Sequence, residues 1–290
     1  MTKYKKELTI ISGKGGTGKT TLAAAFASLA ERAVIADCDV DAANLHLILR
    51  PEIIEEHAYE GGFTAEIDTE RCTLCGQCQS LCRFSAISDD MRIDPLLCEG
   101  CGVCMDRCPE NAIRMTREIC GRWFLSNTRF GPFVHARLGI AQDNSGKLVS
   151  QVRRRANEIA EEQDLELVLV DGAPGIGCPV ISSVAGTDLV LVVTEPTQSG
   201  RHDLERVLEL ARHFKIKTAV CVNKSDLNED MTAKIKTVCR EKGAIFAGTI
   251  PYDPAVTEAM VAQKSLVENG ESPGAVAIKN IWRTVLKILQ

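Results

Sequence analysis

No stretch of about 18 apolar residues occurs anywhere in the 290-residue chain, so nothing in it reads as a transmembrane helix. Its opening residues, Met1 to Gly16, carry charges followed by one short apolar run, without the hydrophobic core of a signal peptide. A long basic run is missing too. With a formal net charge of −5, no broad nucleic-acid binding is expected. These absences together predict a mildly acidic cytoplasmic protein. What the chain has in excess is cysteine: thirteen in all, eight of them between Cys72 and Cys108. In a reducing compartment, clustered thiols point to metal binding or catalysis rather than disulfides. A hydrophobic content of 45% allows a sizeable core, and the length suits one large domain or a domain plus a module.

Short runs rich in valine and isoleucine recur along the chain: Leu8–Ser12, Ala33–Asp37, Leu165–Asp171, Leu189–Thr194, Thr218–Asn223 and Ala244–Ile250. Helical patterns separate them, at about Thr20–Glu31, Leu148–Glu161, Leu204–His213 and Met231–Lys242. This alternation predicts an α/β protein with a doubly wound, mostly parallel sheet, whose ligands sit at the C-terminal ends of the strands. Between about Gly61 and Met115 the rhythm breaks, and short loops crowded with cysteine and glycine leave no room for long helices. The expected organisation is a core from 1–60 and 117–290, interrupted by a small α+β insert at 61–116. The insert is duplicated: Ile67-Asp68…Cys72-Cys75-Cys78-Cys82…Ala86-Ile87 returns as Ile93-Asp94…Cys98-Cys101-Cys104-Cys108…Ala112-Ile113, a constant 26 residues later.

After the first strand, Gly13-Lys14-Gly15-Gly16-Thr17-Gly18-Lys19-Thr20-Thr21 matches G-x4-G-K-[ST] and precedes a helix, the context that a phosphate-binding P-loop requires. Its glycines let backbone N–H groups turn onto the phosphates, aided by the helix N-terminus. Lys19 is expected to reach the β- and γ-phosphates, and the Thr20 hydroxyl to meet Mg²⁺. The extra lysine, Lys14, makes the loop resemble the deviant Walker A of MinD/ParA-type (SIMIBI) ATPases and the nitrogenase iron protein. That resemblance implies an ATP-sandwich dimer, a homodimer or a heterodimer with a paralogue, in which Lys14 reaches the partner's nucleotide. It extends to Asp37-Cys38-Asp39, similar to switch I, where Asp39 would orient the attacking water. Asp171-Gly-Ala-Pro-Gly175 is similar to switch II, which places Asp171 near Mg²⁺. Asp37 and Asp41 read equally well as surface or capping acids. Asn223-Lys224-Ser-Asp226 has the N-K-x-D form that reads guanine in GTPases. In the MinD-like class an asparagine there contacts adenine beside a Pro-x-Asp segment, matched here by Pro251-Tyr-Asp253, so the resemblance favours ATP.

The doubled C-x2-C-x2-C-x3-C run, ending the second time in Cys108-Pro109, is the bacterial ferredoxin pattern, in which the fourth cysteine ligates the other cluster. One 4Fe–4S cluster is therefore expected on Cys72, Cys75, Cys78 and Cys108, and a second on Cys98, Cys101, Cys104 and Cys82. Gly76 and Gly102 allow the loop backbone close to sulfide. Zinc on paired C-x2-C remains a minor alternative. Arg83 stands where proline usually follows the fourth cysteine, and reads either as a charge tuning the second cluster or as a tolerated loop residue. So small an insert buries little, and bound clusters are expected to hold it folded.

Cys178 lies at the offset from the switch II acid at which the nitrogenase iron protein ligates a subunit-bridging cluster, with Cys120 as its one companion; a simple packed thiol is the other reading. Cys38, Cys221 and Cys239 read as core thiols, and His135 as structural. The segment from Phe130 to Ala136 is not explained by propensity, and Asn144-Ser-Gly-Lys147 reads as a turn. In the tail, Lys279, Arg283 and Lys287 oppose Ile281, Val285, Ile288 and Leu289. That is either a membrane-contacting helix or one packed on the sheet with a solvated face. The whole chain resembles an ATPase in which nucleotide gates electron transfer through two 4Fe–4S clusters to an unidentified protein partner. Cluster assembly or delivery, as in Mrp-type ATPases, and a spatial organiser with redox-sensing clusters are the competing readings.

Overall fold

In the computed structural model, which describes residues 5–139 and 145–290, the apolar run before the glycine-rich loop forms β1 (Lys6–Ser12), and the alanine-rich segment after it forms α1 (Lys19–Leu29). Next come β2 (Ala33–Asp37), α2 (Leu45–Leu49), β3 (Glu52–Ile67), α3 (Gln77–Leu81), α4 (Val103–Asp106), β4 (Ile113–Thr128) and β5 (Gly131–Leu138). The chain continues through α5 (Ser145–Glu162), β6 (Leu167–Pro174), α6 (Cys178–Val184), β7 (Leu189–Thr194), α7 (Gln198–His213), β8 (Thr218–Asn223) and a 3-10 turn (Ser225–Leu227). It closes with α8 (Glu229–Glu241), β9 (Ile245–Ile250), α9 (Ala255–Val261) and α10 (Pro273–Leu289). Contacts divide it into two units. One holds the residues up to Glu56, Trp123–Arg137 and Ser145–Gln290; the other holds His57–Arg122 and, among the described residues, Leu138 and Gly139.

In the larger unit the strand order is β4-β5-β2-β6-β1-β7-β8-β9. The pairs β5–β2, β2–β6, β6–β1, β1–β7, β7–β8 and β8–β9 are parallel. The continuous apolar runs are explained by burial on both faces. Leu8, Ile10, Leu189, Leu191, Val193 and Cys221 pack with α1, α2, α9 and α10. Their neighbours Ile11, Val190, Val192, Val220 and Val222 pack with α6, α7 and α8 on the other side. Helix α1 is buried from Leu22 to Ala27, and a helix apolar all round belongs inside a core.

The apolar stripe of α10 is part of that core: Ile281, Val285 and Leu289 are buried and Ile288 is packed against them, while Trp282 meets the Phe26 ring with centroids 4.7 Å apart. A lipid surface would have to compete with this packing. Trp282→Ala should cost about 3–5 kcal/mol, read as a lower urea midpoint with an unchanged slope. Cys38, Cys221 and Cys239 are buried thiols.

The smaller unit starts and ends outside 61–116, because paired strands β3 and β4, rather than the cysteine loops, form its borders. Glutamates crowd β3 and most of it is exposed, so the alternation that announces a half-buried strand is absent. Its helices are short, as the loop-rich sequence implies: α3 has five residues and α4 four. The unexplained segment around Phe130–Ala136 is largely β5, paired with β2 through Phe133 and His135. Of the turn expected at 144–147, Asn144 lies outside the described residues. Ser145 to Lys147 are instead the first turn of α5, where glycine suits close contact: a Cβ on Gly146 would sit 3.3 Å from the Cys178 Cβ.

Candidate functional site

Four parallel strands, β1, β2, β6 and β8, end at one edge of the sheet, and each delivers a polar segment there: the P-loop, Asp37–Asp39, Asp171–Gly175 and Asn223–Asp226. The P-loop turn depends on left-handed glycines, Gly16 at φ 81° and Gly18 at φ 90°. At Gly18 a Cβ would also run into the Asn223 amide, whose Nδ2 donates to the Thr17 carbonyl at 2.9 Å. Asn223 thus braces the loop as well as lining the cavity beside it.

Lys19 is almost fully buried and meets two acids: Asp171 Oδ1 at 2.7 Å and Asp39 Oδ2 at 3.3 Å. The acids outweigh burial and hold its ammonium above the ordinary lysine range. Asp171 is completely buried, and its Oδ2 has no protein partner among the described residues; the same holds for Thr17 Oγ1. The Thr20 hydroxyl interacts with Asp171 as well. An orphaned carboxylate oxygen beside a hydroxyl is a donor set that suits a hard divalent cation with its waters. Thr20 and Asp171 therefore fit Mg²⁺, and Asp39 stands next to them.

Asp37 plays a different part. It is wholly buried and accepts from the N–H groups of Asp39 at 3.1 Å and Leu45 at 3.3 Å, capping the start of α2. Burial, reinforced by Asp171 and opposed by Lys19, pushes its carboxyl well above the usual range. Burial likewise raises Asp171, against the pull of Lys19. An acid whose folded pKa is raised stabilises the fold below its unfolded pKa of about 3.9, and loses that contribution as pH rises through the folded value. Without ligand, Asp37→Asn is therefore expected to melt higher than wild type at pH 7–8, and to lose this advantage near pH 4. A melting-temperature series across that range checks the sign.

Lys14 bends back over its own chain, with Nζ 3.2 Å from Ser199 Oγ and 3.5 Å from Glu195 Oε2. Glu195 also holds Lys224 Nζ at 2.6 Å. Sequence reading missed Glu195; the one signal was its place directly after β7, at the ligand-bearing edge. Beside the loop is a cavity of about 290 Å³ lined by Gly16, Thr21, Asn223, Pro251, Tyr252 and Asp253, among others. Its acid Asp253, and Asp226 outside its lining, are both engaged with backbone. Asp226 accepts from Tyr252 N at 2.7 Å, and Asp253 accepts from Ala255 N at 3.0 Å and Gly274 N at 2.8 Å. Gly13 and Gly15 complete the loop; a Cβ on Gly13 would collide with Asp203.

In the smaller unit the duplication is visible in the backbone. Residues 26 apart share left-handed conformations: Leu74 (φ 57°) with Gly100 (60°), Gly76 (74°) with Gly102 (76°), and Ser85 (54°) with Asn111 (47°). The repeats exchange hydrogen bonds, Asp68 N to Ala112 O and Asp94 N to Ala86 O, both at 2.8 Å. Two cavities result. Cys72, Cys75, Cys78 and Cys108 line one, and Cys82, Cys98, Cys101 and Cys104 line the other. Each draws three cysteines from one repeat and the fourth from its copy. Among the described residues no three His, Cys, Asp or Glu side chains converge as they would on a single metal ion. Four thiols spread around a cavity suit a larger inorganic cluster. Ala112 N donates to Cys108 Sγ at 3.3 Å.

Cys178 is exposed at the start of α6. Cys120 is buried in the smaller unit against Gly62, where an added Cβ would lie 2.9 Å from its sulfur. His135 is buried, hydrogen-bonded to Ser126 at 3.1 Å and stacked on Phe133 and Phe124. Burial, with help from His46 and Arg137, lowers its pKa to about 4, so its ring is neutral at pH 7.

The chain is similar to known proteins. The family profile of the CobQ/CobB/MinD/ParA nucleotide binding domain matches residues 8–267. Uncharacterized protein MJ0578 of Methanocaldococcus jannaschii is 32% identical over 292 residues, covering 98% of this chain and 97% of that one. Pyruvate synthase subunit PorD of the same organism is 40% identical over 60 residues, 19% of this chain and 70% of that one. Among solved structures, the septum site-determining protein MinD of Pyrococcus horikoshii, complexed with Mg-ADP, superposes with a TM-score of 0.62 at 17% identity, covering 98% and 97% of the two chains. This last likeness is one of fold. With the profile matching nearly the whole chain and a P-loop at the sheet edge where it belongs, the chain is a member of the CobQ/CobB/MinD/ParA nucleotide-binding family.

Proposed function

We propose that this chain is an ATP-hydrolysing iron–sulfur protein in which the nucleotide state governs electron transfer through two 4Fe–4S clusters held by an inserted ferredoxin-like domain. The observation that carries this reading is the sorting of eight cysteines into two cavities of four, each completed by a cysteine from the other repeat. Clusters bound there would supply one-electron redox chemistry. The 60-residue similarity to a pyruvate synthase subunit is in accord with a separable module.

At the nucleotide edge, Lys19 is released from Asp171 and Asp39 to the β- and γ-phosphates, while Thr20 and Asp171 hold Mg²⁺. Asp39 then orients the attacking water, since phosphoryl transfer needs positioning and charge neutralisation above all. Lys14 leaves Glu195 to meet the nucleotide of a second subunit, and the working form is a dimer. The adenine occupies the cavity beside Asn223 and Pro251–Asp253.

Anaerobic reconstitution followed by exposure to an apo-ferredoxin tests this reading. The expected result is about eight irons per chain, two cubanes' worth, retained in the presence of the acceptor. Passage of intact clusters to the acceptor would instead establish a carrier role. A chain that takes up no iron and sulfide would refute both.

A further inference from the structure

One duplicated unit builds both cysteine cavities: each of the twelve residues lining the cavity of Cys72, Cys75, Cys78 and Cys108 has a counterpart 26 positions away lining the other, so each cavity serves as a control for the other. The backbones match at the three left-handed pairs, and the turns before the first cysteines match as well: Cys72 N donates to Asp68 O at 3.0 Å, and Cys98 N to Asp94 O at 3.1 Å. Against this matched frame the walls differ in charge. Arg83, Phe84 and Glu99 line the cavity of Cys82, Cys98, Cys101 and Cys104. Their counterparts Pro109, Glu110 and Thr73 line the cavity of Cys72, Cys75, Cys78 and Cys108. One wall thus carries a cation and an anion, the other an anion alone.

Arg83 directly follows the ligand-bearing Cys82, and its guanidinium carbon lies 5.6 Å from the centroid of the Phe84 ring, which also lines the cavity. The aromatic face holds the cation at the wall. We infer that Arg83 sets the two cluster sites apart, so that the site of Cys82, Cys98, Cys101 and Cys104 takes an electron before the other. This rests on the cluster reading above. Reduction adds one electron to a site, with no bond broken, and a cation at the wall favours the added negative charge. Arg83 is exposed, so its influence should weaken as salt screens it.

The test is an EPR-monitored potentiometric titration of the reconstituted full chain, with dithionite as reductant, for wild type, Arg83→Gln and Arg83→Lys. Wild type should show two separate one-electron steps. Arg83→Gln should lower the higher step alone and draw the two together, Arg83→Lys should keep them apart, and high salt should narrow the wild-type gap. A glutamine variant with full iron content whose steps stay where they were, or whose lower step moves, overturns the role of Arg83 and leaves the cluster reading intact. A wild-type chain without iron and sulfide overturns both.

Discussion

Lys19→Met is expected to lower nucleotide hydrolysis by at least about 10³-fold, the scale of losing a cation that neutralises transition-state charge. It should also destabilise the ligand-free fold. Lys19 is the charge partner of Asp171, which is fully buried with one oxygen already unpartnered. Breaking a buried pair by removing one side costs roughly 3–5 kcal/mol, less whatever Asp171 recovers by taking a proton. The double variant Lys19→Met/Asp171→Asn separates the two effects: stability should return toward wild type, activity should not. Hydrolysis within a few-fold of wild type in a folded Lys19→Met protein would remove Lys19 from the chemistry.

The second large effect concerns the crossing cysteines. Cys108→Ser should strip the site of Cys72, Cys75 and Cys78, although Cys108 lies in the other repeat, and Cys82→Ser should strip the site of Cys98, Cys101 and Cys104. Each variant should fall from about eight irons to about four. The EPR signal surviving in Cys108→Ser should match the one surviving in Cys72→Ser. A match to Cys98→Ser instead would mean that each repeat closes its own site. Removing both clusters with a chelator should unfold the smaller unit, because its core cluster of buried residues is small: Ala65, Cys78, Ile87, Met91 and Ile113. Proteolysis between about residues 57 and 122 would report that loss.

Legibility in the sequence followed how local the determinants are. The P-loop is read from nine consecutive residues, and the duplication from a fixed offset; both depend only on neighbours in the chain. The central strands β1, β6, β7 and β8 are equally plain, since burial on both faces favours runs rich in valine, leucine and isoleucine. Strand β3 was hidden for the opposite reason: Ile53 and Ile54 are adjacent and both about half exposed, so no alternation marks it. Strand β5 escaped because Gly131-Pro132 argues against a strand until β2 is there to pair with it. Asp37 could be read as part of the segment similar to switch I or as a surface or capping acid, and only its two N–H donors decide for the cap. Glu195 carries no motif at all; its meaning comes from holding Lys14 and Lys224, residues 181 and 29 positions away.

The central claim is that nucleotide state and cluster chemistry are coupled, and the rate of cluster reduction addresses it most directly. Stopped-flow absorbance of the anaerobically reconstituted chain mixed with dithionite should give different rates with Mg-ATP and Mg-ADP. On the role proposed for Lys14 across the dimer, the Lys14→Ala variant should lose that difference. Identical reduction rates and identical cluster potentials with the two nucleotides would contradict the account.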